Sequence, residues 1–432
     1  MHLTTYKKTP LLEFKSVIKS KVVKLILLSI SFMMVTGCNG GGSDDNNNND
    51  NNESIVTNEI SSEKYYEMVA NTIESVDLGN DEIIVSFYNF DLSAEDGEDQ
   101  LFQIGLSKNN GETFHLLLDD VTDVSSIIPN GIQAYPKSVI YSDSTILLNV
   151  MYRSLTVSNS VPGTIIIDRE TENLNFIPSD ENSCTANSGI EQEDGSWLLV
   201  GSCDSKASVY QVDKDLGNTT ILEQLESNSF GGSFNNILIA ADQCTYVGGH
   251  NWETDDDGSA THIIIKKSCD QGLTWEDDFE YFNADQAYTS LDQLYEINGS
   301  IQFYGLVGAY NTETEKTDVT VVVGERNTKD DWEIIELPGT TVVSSSPSRF
   351  IAFEDGSCNM VSASYIDRKL NFNLSDDCGK TWGNSIETEY SSIKMLNLTD
   401  NIVTFHHYAS VYQVDSIDFN DLQSQLEVIP AE

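Results

Sequence analysis

Glu253-x-Asp255-x-Asp257-Gly258 sets three carboxylates at alternate positions before a glycine. Oxygens so spaced can converge on a hard cation, and calcium is the one cofactor the chain nominates. Position 264, where a twelve-residue calcium loop would carry its bidentate Glu, is Ile264. Glu95, Asp96, Glu98 and Asp99 form a second acidic segment, and Asp256 sits within the first. A glycosidase needs two carboxylates about 5 to 10 Å apart, but 69 Asp and Glu residues could supply any number of such pairs. An abundant residue type is not diagnostic here. Arginine is scarce: Arg153, Arg169, Arg326, Arg349 and Arg368 are the full set. His115, His250, His262, His406 and His407 lack the His-Glu-x-x-His spacing of a zinc hydrolase. Adjacent His406 and His407 on a strand would point to opposite faces. Gly231-Gly232 and Gly248-Gly249 lack the strand-to-helix setting of a phosphate loop and read as turns or close-packed strand residues.

The elements that must position these groups are announced by a repeat. Ser-x-Asp-x-Gly-x-Thr-Trp occurs at Ser268 to Trp275 and Ser375 to Trp382, with a looser copy from Ser107 through Gly111 to Phe114. The copies start 161 and 107 residues apart, both near multiples of 54. Partial copies fall at the expected phase: Asp213 to Thr220, through Asp215, Gly217 and Thr219, and Glu325 to Trp332. Weaker turns are expected at Asp168 and Asp415, and Val-Tyr-Gln-Val-Asp recurs at 209–213 and 411–415. Strand-like runs with Asp-Gly and Asn-Gly turns fill the intervals, as at 348–353, 359–365, 370–374 and 386–390. Such a period belongs to propellers rather than to helical repeats. The expected fold is all-β, a seven-bladed propeller of four-stranded antiparallel blades over residues 59–432, with six blades as the alternative count.

The octapeptide resembles the Asp box, or BNR repeat, of sialidase-like β-propellers. That resemblance implies a hairpin between the third and fourth strands of a blade. Ser107, Gly111, Ser268, Asp270, Gly272, Trp275, Ser375, Asp377, Gly379 and Trp382 are then structural: Asp accepts backbone hydrogen bonds, Gly permits the reversal, and Trp packs between blades. It also implies a binding cleft on the opposite face. Sialidases grip a carboxylate with three arginines. Here Arg169 and Arg326 end third strands on the box side, which leaves Arg153, Arg349 and Arg368 as cleft candidates. The Phe/Tyr-Arg-Ile-Pro signature of the family is absent.

Six lysines from Lys7 to Lys24 precede an apolar run from Leu25 to Val35, followed by Thr36, Gly37 and Cys38. This is the layout of a secretory signal over residues 1–37, too short to span a membrane, which takes about 20 apolar residues. Val35-Thr36-Gly37-Cys38 resembles a bacterial lipobox, with Cys38 as the lipidated residue. Residues 38–58, rich in Gly, Asn and Asp, read as a flexible tether. Asn39 after the lipidated Cys resembles outer-membrane sorting in a Gram-negative cell. Cleavage would remove six Lys and Glu13, leaving 17 basic and 68 acidic residues, a net charge of −51. Nucleic acid is excluded as a partner by such a charge.

Six cysteines remain after Cys38, an even number suited to disulfides in an exported chain. Six cysteines allow 15 pairings; the strand map selects Cys184 with Cys203, Cys244 with Cys269, and Cys358 with Cys378. The functional expectation is a monomeric, membrane-anchored, non-catalytic module that binds protein or glycan. The alternatives are a glycoside hydrolase related to sialidases and an assembly factor for an envelope complex.

Overall fold

Third strands of the repeat are apolar on both faces, while outer strands alternate, and the two patterns set the layering of each sheet. In Lys206–Val212 the four residues from Ala207 to Tyr210 are all buried, as a strand covered on both sides requires. In Thr113–Leu118 burial alternates, with Phe114, Leu116 and Leu118 turned inward. The computed structural model describes residues 59–61, 72–79, 82–90, 100–109, 113–118, 127–129, 131–154, 157–179, 184–214, 217–225, 231–255, 258–281, 288–311, 316–326, 331–343, 348–353, 357–366, 369–388, 393–399, 401–408 and 412–426.

Among these residues the strands form seven antiparallel sheets. Blade 1 holds β1 (Glu59–Ser61), β2 (Thr72–Gly79), β3 (Glu82–Phe90), β4 (Gln100–Ser107) and β5 (Thr113–Leu118). Blade 2 holds β6 (Gly131–Tyr141), β7 (Thr145–Ser154), β8 (Val157–Asp168) and β9 (Leu174–Pro178). Blade 3 holds β10 (Thr185–Glu191), β11 (Trp197–Cys203), β12 (Lys206–Val212) and β13 (Thr219–Gln224). Blade 4 holds β14 (Gly232–Ile239), β15 (Thr245–Asp255), β16 (Gly258–Ser268) and β17 (Glu276–Tyr281). Blade 5 holds β18 (Tyr288–Ile297), β19 (Ser300–Asn311), β20 (Lys316–Arg326) and β21 (Trp332–Glu336), with β22 (Val342–Val343) added on β20. Blade 6 holds β23 (Ser348–Phe353), β24 (Met360–Ile366), β25 (Lys369–Ser375) and β26 (Ile386–Glu387). Blade 7 holds β27 (Ile393–Thr399), β28 (Ile402–Tyr408) and β29 (Tyr412–Asp418), followed by helix α1 (Phe419–Leu426).

The fold is thus a seven-bladed propeller, and the six-bladed count is set aside. The innermost strand is β2 in blade 1 and the first strand in each of the others, and β27 lies beside β2 to close the ring. Apolar clusters lie between blades: Phe102 and Ile104 meet Leu148 and Ile165 across blades 1 and 2, and Tyr304 meets Trp382 across blades 5 and 6.

The four-strand pattern is modified at the ends of the chain. β1 pairs with β5 at the rim of blade 1, with Ile60 opposite Phe114. In blade 7 the third strand passes through Asp415, which pairs with Phe405 rather than forming the expected turn. The strand ends at Asp418, whose Oδ1 accepts a hydrogen bond from Asn420 N at 2.8 Å. This cap starts α1, and Phe419 and Leu422 bury themselves in the core between blades 6 and 7.

A second repeated feature lies near the axis. The inner strands carry bulges between Ala186 and Ser188, Phe234 and Asn236, and Leu291 and Gln293. Ser138 Oγ donates to Ala186 O at 2.6 Å, Asn187 Nδ2 to Phe234 O at 2.9 Å, and Asn235 Nδ2 to Leu291 O at 2.6 Å. Each acceptor is the carbonyl just before the next blade's bulge, so a side chain near one bulge ties the next blade in register. Across the sheet from the three acceptors stand Gly201, Gly249 and Gly305. A Cβ at any of them would collide with the carbonyl of Thr185, Ser233 or Ser290. Glycine here admits the close approach that the bulged strand needs.

Candidate functional site

The box hairpins form one face. Ser268 Oγ donates to Asp270 Oδ1 and accepts from Gly272 N, and Asp270 Oδ1 accepts from Thr274 N at 2.8 Å. Ser375, Asp377, Gly379 and Thr381 repeat the pattern. Gln271 and Gly272 have φ of 62° and 85°, and Cys378 and Gly379 have 62° and 82°. Hydrogen bonds from Thr274 hold the Asp270 carboxyl below its ordinary 3.8. Burial pushes Asp377 upward, but bonds from Thr381 and Ser375 outweigh it and leave it lowered. Trp382 is buried between blades 5 and 6, and Trp275 packs between blades 3 and 4. In blade 1 Asn109 does the work of the Asp, accepting from Ser107 Oγ and Thr113 N at 2.9 Å; Gly111 lies outside the described residues. In blade 3 Asp213 stands at the position of the box serine, as the alignment of 213–220 expects, accepting from Gly217 N at 2.8 Å; Asp215 lies outside the described residues.

All three disulfides pair as the strand map requires: Cys184 with Cys203, Cys244 with Cys269 and Cys358 with Cys378. Each joins neighbouring strand ends within one blade.

The arginines divide by face. Arg169 pairs with Glu82 of blade 1. Arg326 pairs with Asp278 of blade 4 at 2.9 Å, beside the Tyr246 hydroxyl. Both are engaged between blades on the box side. Arg153 is exposed on β7. Arg349 lies in β23, but its side chain and Arg368 are outside the described residues, as are Cys38, 91–99 and 256–257.

Of the calcium spacing, Glu253 pairs with Ala260 and Asp255 with Gly258 on the adjacent strands β15 and β16. The side chains of Glu253 and Asp255, and Asp257 itself, are outside the described residues. Among the described residues no three His, Cys, Asp or Glu side chains are grouped to hold a metal.

Two cavities are lined by described residues. One of about 380 Å³ lies between the sheets of blades 2 and 3, lined by Leu147, Val150, Leu199 and Tyr210. Its buried amide is already engaged: Asn149 donates to Ser138 Oγ at 3.0 Å and accepts from Thr164 Oγ1 at 2.9 Å. The other, of about 450 Å³, opens near the axis on the face opposite the boxes, and blades 2, 3 and 4 all contribute to it. Met151 comes from β7, Asn187 from β10, Ser205 from the turn between β11 and β12, and Ser233, His250 and Trp252 from blade 4. Lys137, exposed at the bulge of β6, is the one cation among the described lining residues, which include no carboxylate.

The cavity is positioned by the bulge network. Asn187 Nδ2 donates to Ser233 Oγ at 2.6 Å, to Phe234 O at 2.9 Å and to Asn235 Oδ1 at 3.3 Å. Burial holds the His250 imidazole below its ordinary 6.5, with the Asp292 carboxylate opposing. At neutral pH that ring is uncharged. An aromatic side chain beside amides and hydroxyls suits recognition of a ligand with both apolar and polar faces.

Gly231-Gly232 and Gly248-Gly249 resolve as the two settings expected of them. Gly231, with φ of 101°, turns into β14 at the cavity mouth, and Gly248 and Gly249 are packed within β15. Asn187, Ser205, Ser233, His250 and Trp252 were not marked as a group by any sequence spacing. The polar residue in the middle of each inner strand is the signal that could have found part of it.

No family profile matches the chain, and no curated protein matches it. Solved structures similar to it include a chain of a mitotic checkpoint complex, at 11% identity and TM-score 0.47, covering 89% of this chain and 98% of that one. The propeller domain of the Trilobed protease from Pyrococcus furiosus is similar at 13% identity and TM-score 0.45, covering 81% and 96%. A mutant Trypanosoma rangeli sialidase displaying trans-sialidase activity is similar at 12% identity and TM-score 0.41, covering 82% of this chain and 55% of that one.

Proposed function

We propose that this chain is an exported lipoprotein, lipidated at Cys38, whose Asp-box propeller at 59–432 binds glycan without chemical conversion. The observation that carries the reading is the cavity opposite the boxes, where Trp252 stands with Asn187, Ser205 and Ser233. Sugars present apolar C–H faces that stack on an indole and hydroxyls that pair with amides and serines. A hydrolase of the two-carboxylate kind would need acids beside the scissile bond, and the described lining residues supply none. Arg169 and Arg326 are committed to ion pairs on the other face, which leaves Arg153, Arg349 and Arg368 as the arginines expected on the cleft side.

Export is supported by the lysine-rich apolar leader and by the three disulfides. The 38–58 tether would let the propeller stand clear of the headgroups on the outer membrane of a Gram-negative cell.

The test is an oligosaccharide array probed with the detergent-extracted full chain and with Trp252→Ala. The reading expects retention of a defined set of glycans and at least about a tenfold loss in the variant, the scale of a lost base-type stacking contact of ~1–3 kcal/mol. Retention of no glycan, or a variant that binds like the parent, contradicts it. Palmitate labelling that persists in Cys38→Ser contradicts the anchor.

A further inference from the structure

We infer that the cavity takes an uncharged sugar and recognises it by accepting hydrogen bonds from its hydroxyls, with Asn187 as the specificity-determining residue. This rests on the glycan-binding reading of the same cavity.

The inference follows from which atoms the protein has already used. Asn187 Nδ2 donates to Phe234 O, a carbonyl that can only accept. The amide therefore cannot be turned over, because its oxygen would then face another oxygen. Ser233 Oγ and Asn235 Oδ1 hold the same nitrogen. With Nδ2 fixed in this way, Asn187 Oδ1 carries no bond among the described residues and is the part of the amide left to a ligand at the lining. Ser233 is oriented similarly: it accepts from Asn187 and directs its own hydrogen toward Phe234 O at 3.4 Å. What both groups offer a ligand is lone pairs.

An acceptor wall discriminates by charge as well as by hydrogen bonding. A carboxylate brought against Asn187 Oδ1 would set acceptor against acceptor in a chain whose net charge is −46. His250 cannot compensate, because burial keeps it neutral at pH 7. Lys137 is a single exposed cation and lacks the planar fork that binds carboxylates bidentately. Sugar hydroxyls can donate to such a wall at no charge cost.

The experiment is calorimetry on the full chain with neutral tetrasaccharides of glucose, mannose and galactose, their C6-oxidised uronates, and sialyllactose. The tightest neutral binder is then compared with its monodeoxy and deoxyfluoro analogues. A C–F group accepts weakly and cannot donate, so it separates the two polarities of recognition. The inference expects the uronate to bind at least about 30-fold more weakly than the neutral sugar. At one hydroxyl the deoxy and deoxyfluoro analogues should lose affinity equally, by about 3- to 10-fold, the range for one net hydrogen bond. Asn187→Asp, which replaces the fixed donor with a charge, should lower affinity without reversing the preference for neutral sugars. Equal or tighter binding of the uronate or of sialyllactose overturns the inference and leaves glycan binding standing. Retained affinity of the deoxyfluoro analogues at every position also overturns it, because the protein would then be the donor. Binding of no saccharide in the panel removes the glycan reading and this inference together.

Discussion

Gly249→Ala should be one of the most damaging single-methyl additions in the propeller. The new Cβ would meet Phe234 Cα at 2.6 Å and collide with the Ser233 carbonyl, both backbone atoms of the inner strand. Neither can rotate away, so β14 must move. Overpacking of this kind costs about 1–3 kcal/mol. Moving β14 also disturbs the bonds from Asn187 to Phe234 O and Ser233 Oγ, worth about 1 kcal/mol each. Stiffening of the unfolded chain returns about 0.4–1 kcal/mol. The net loss should be about 2–4 kcal/mol. For a propeller of roughly 370 residues, with an unfolding entropy near 2.1 cal/mol/K per residue, this lowers Tm by about 3–5 °C. Calorimetry of unfolding reads it, with Gly217→Ala as the control, because nothing lies within 4 Å of a Cβ there. Asn187→Ala should cost less in the Gly249→Ala background than alone. A Gly249→Ala protein within about 0.5 kcal/mol of the parent would refute the reasoning, since the bulge and the glycine would then not be coupled.

Three further outcomes follow from the geometry. Replacing Cys358 and Cys378 by Ala releases a loop with a sequence separation of 20, and the chain-entropy relation gives a loss of about 3 kcal/mol; denaturant unfolding that is unchanged under reducing and oxidising conditions contradicts it. Asp270 and Asp377 have folded pKa values held below 3.8, so their contribution is complete above about pH 4 and is lost as pH falls through the lowered values. Asp270→Asn with Asp377→Asn should flatten the fall of Tm between about pH 4 and 2, because Asn already fills this role at Asn109; an unchanged slope contradicts the assignment. Asp418→Ala removes the cap of α1 and should cost about 1 kcal/mol, with faster amide exchange confined to the seam of blades 6 and 7; no change in exchange there contradicts the cap.

The box hairpins and disulfides were legible because each is local: a turn writes its needs into eight consecutive residues, and a disulfide couples strands already adjacent in a hairpin. Ser107, Ser268 and Ser375 end third strands where the period placed them. The blade 3 hairpin was legible at Asp213 and Gly217, because Asp213 replaces the serine as acceptor and keeps the same bond to Gly217 N. The end of blade 7 was misread at Asp415 because Val-Tyr-Gln-Val-Asp matches blade 3 in sequence but runs three residues further as a strand. The inner-ring ties were not legible, since a serine at 138 does the work that asparagines do at 187 and 235, and each partner lies in the next blade. Nor was the cavity. Its residues come from three blades, and only the closed ring brings Met151, Asn187 and Trp252 to one place.

Diffraction from crystals soaked in a neutral oligosaccharide that binds in solution tests the functional account most directly. The account predicts sugar density at the mouth between blades 2, 3 and 4, against Trp252 and within hydrogen-bond distance of Asn187 Oδ1. Density seated only on the box face or the outer rim, with that mouth holding solvent alone, would contradict it.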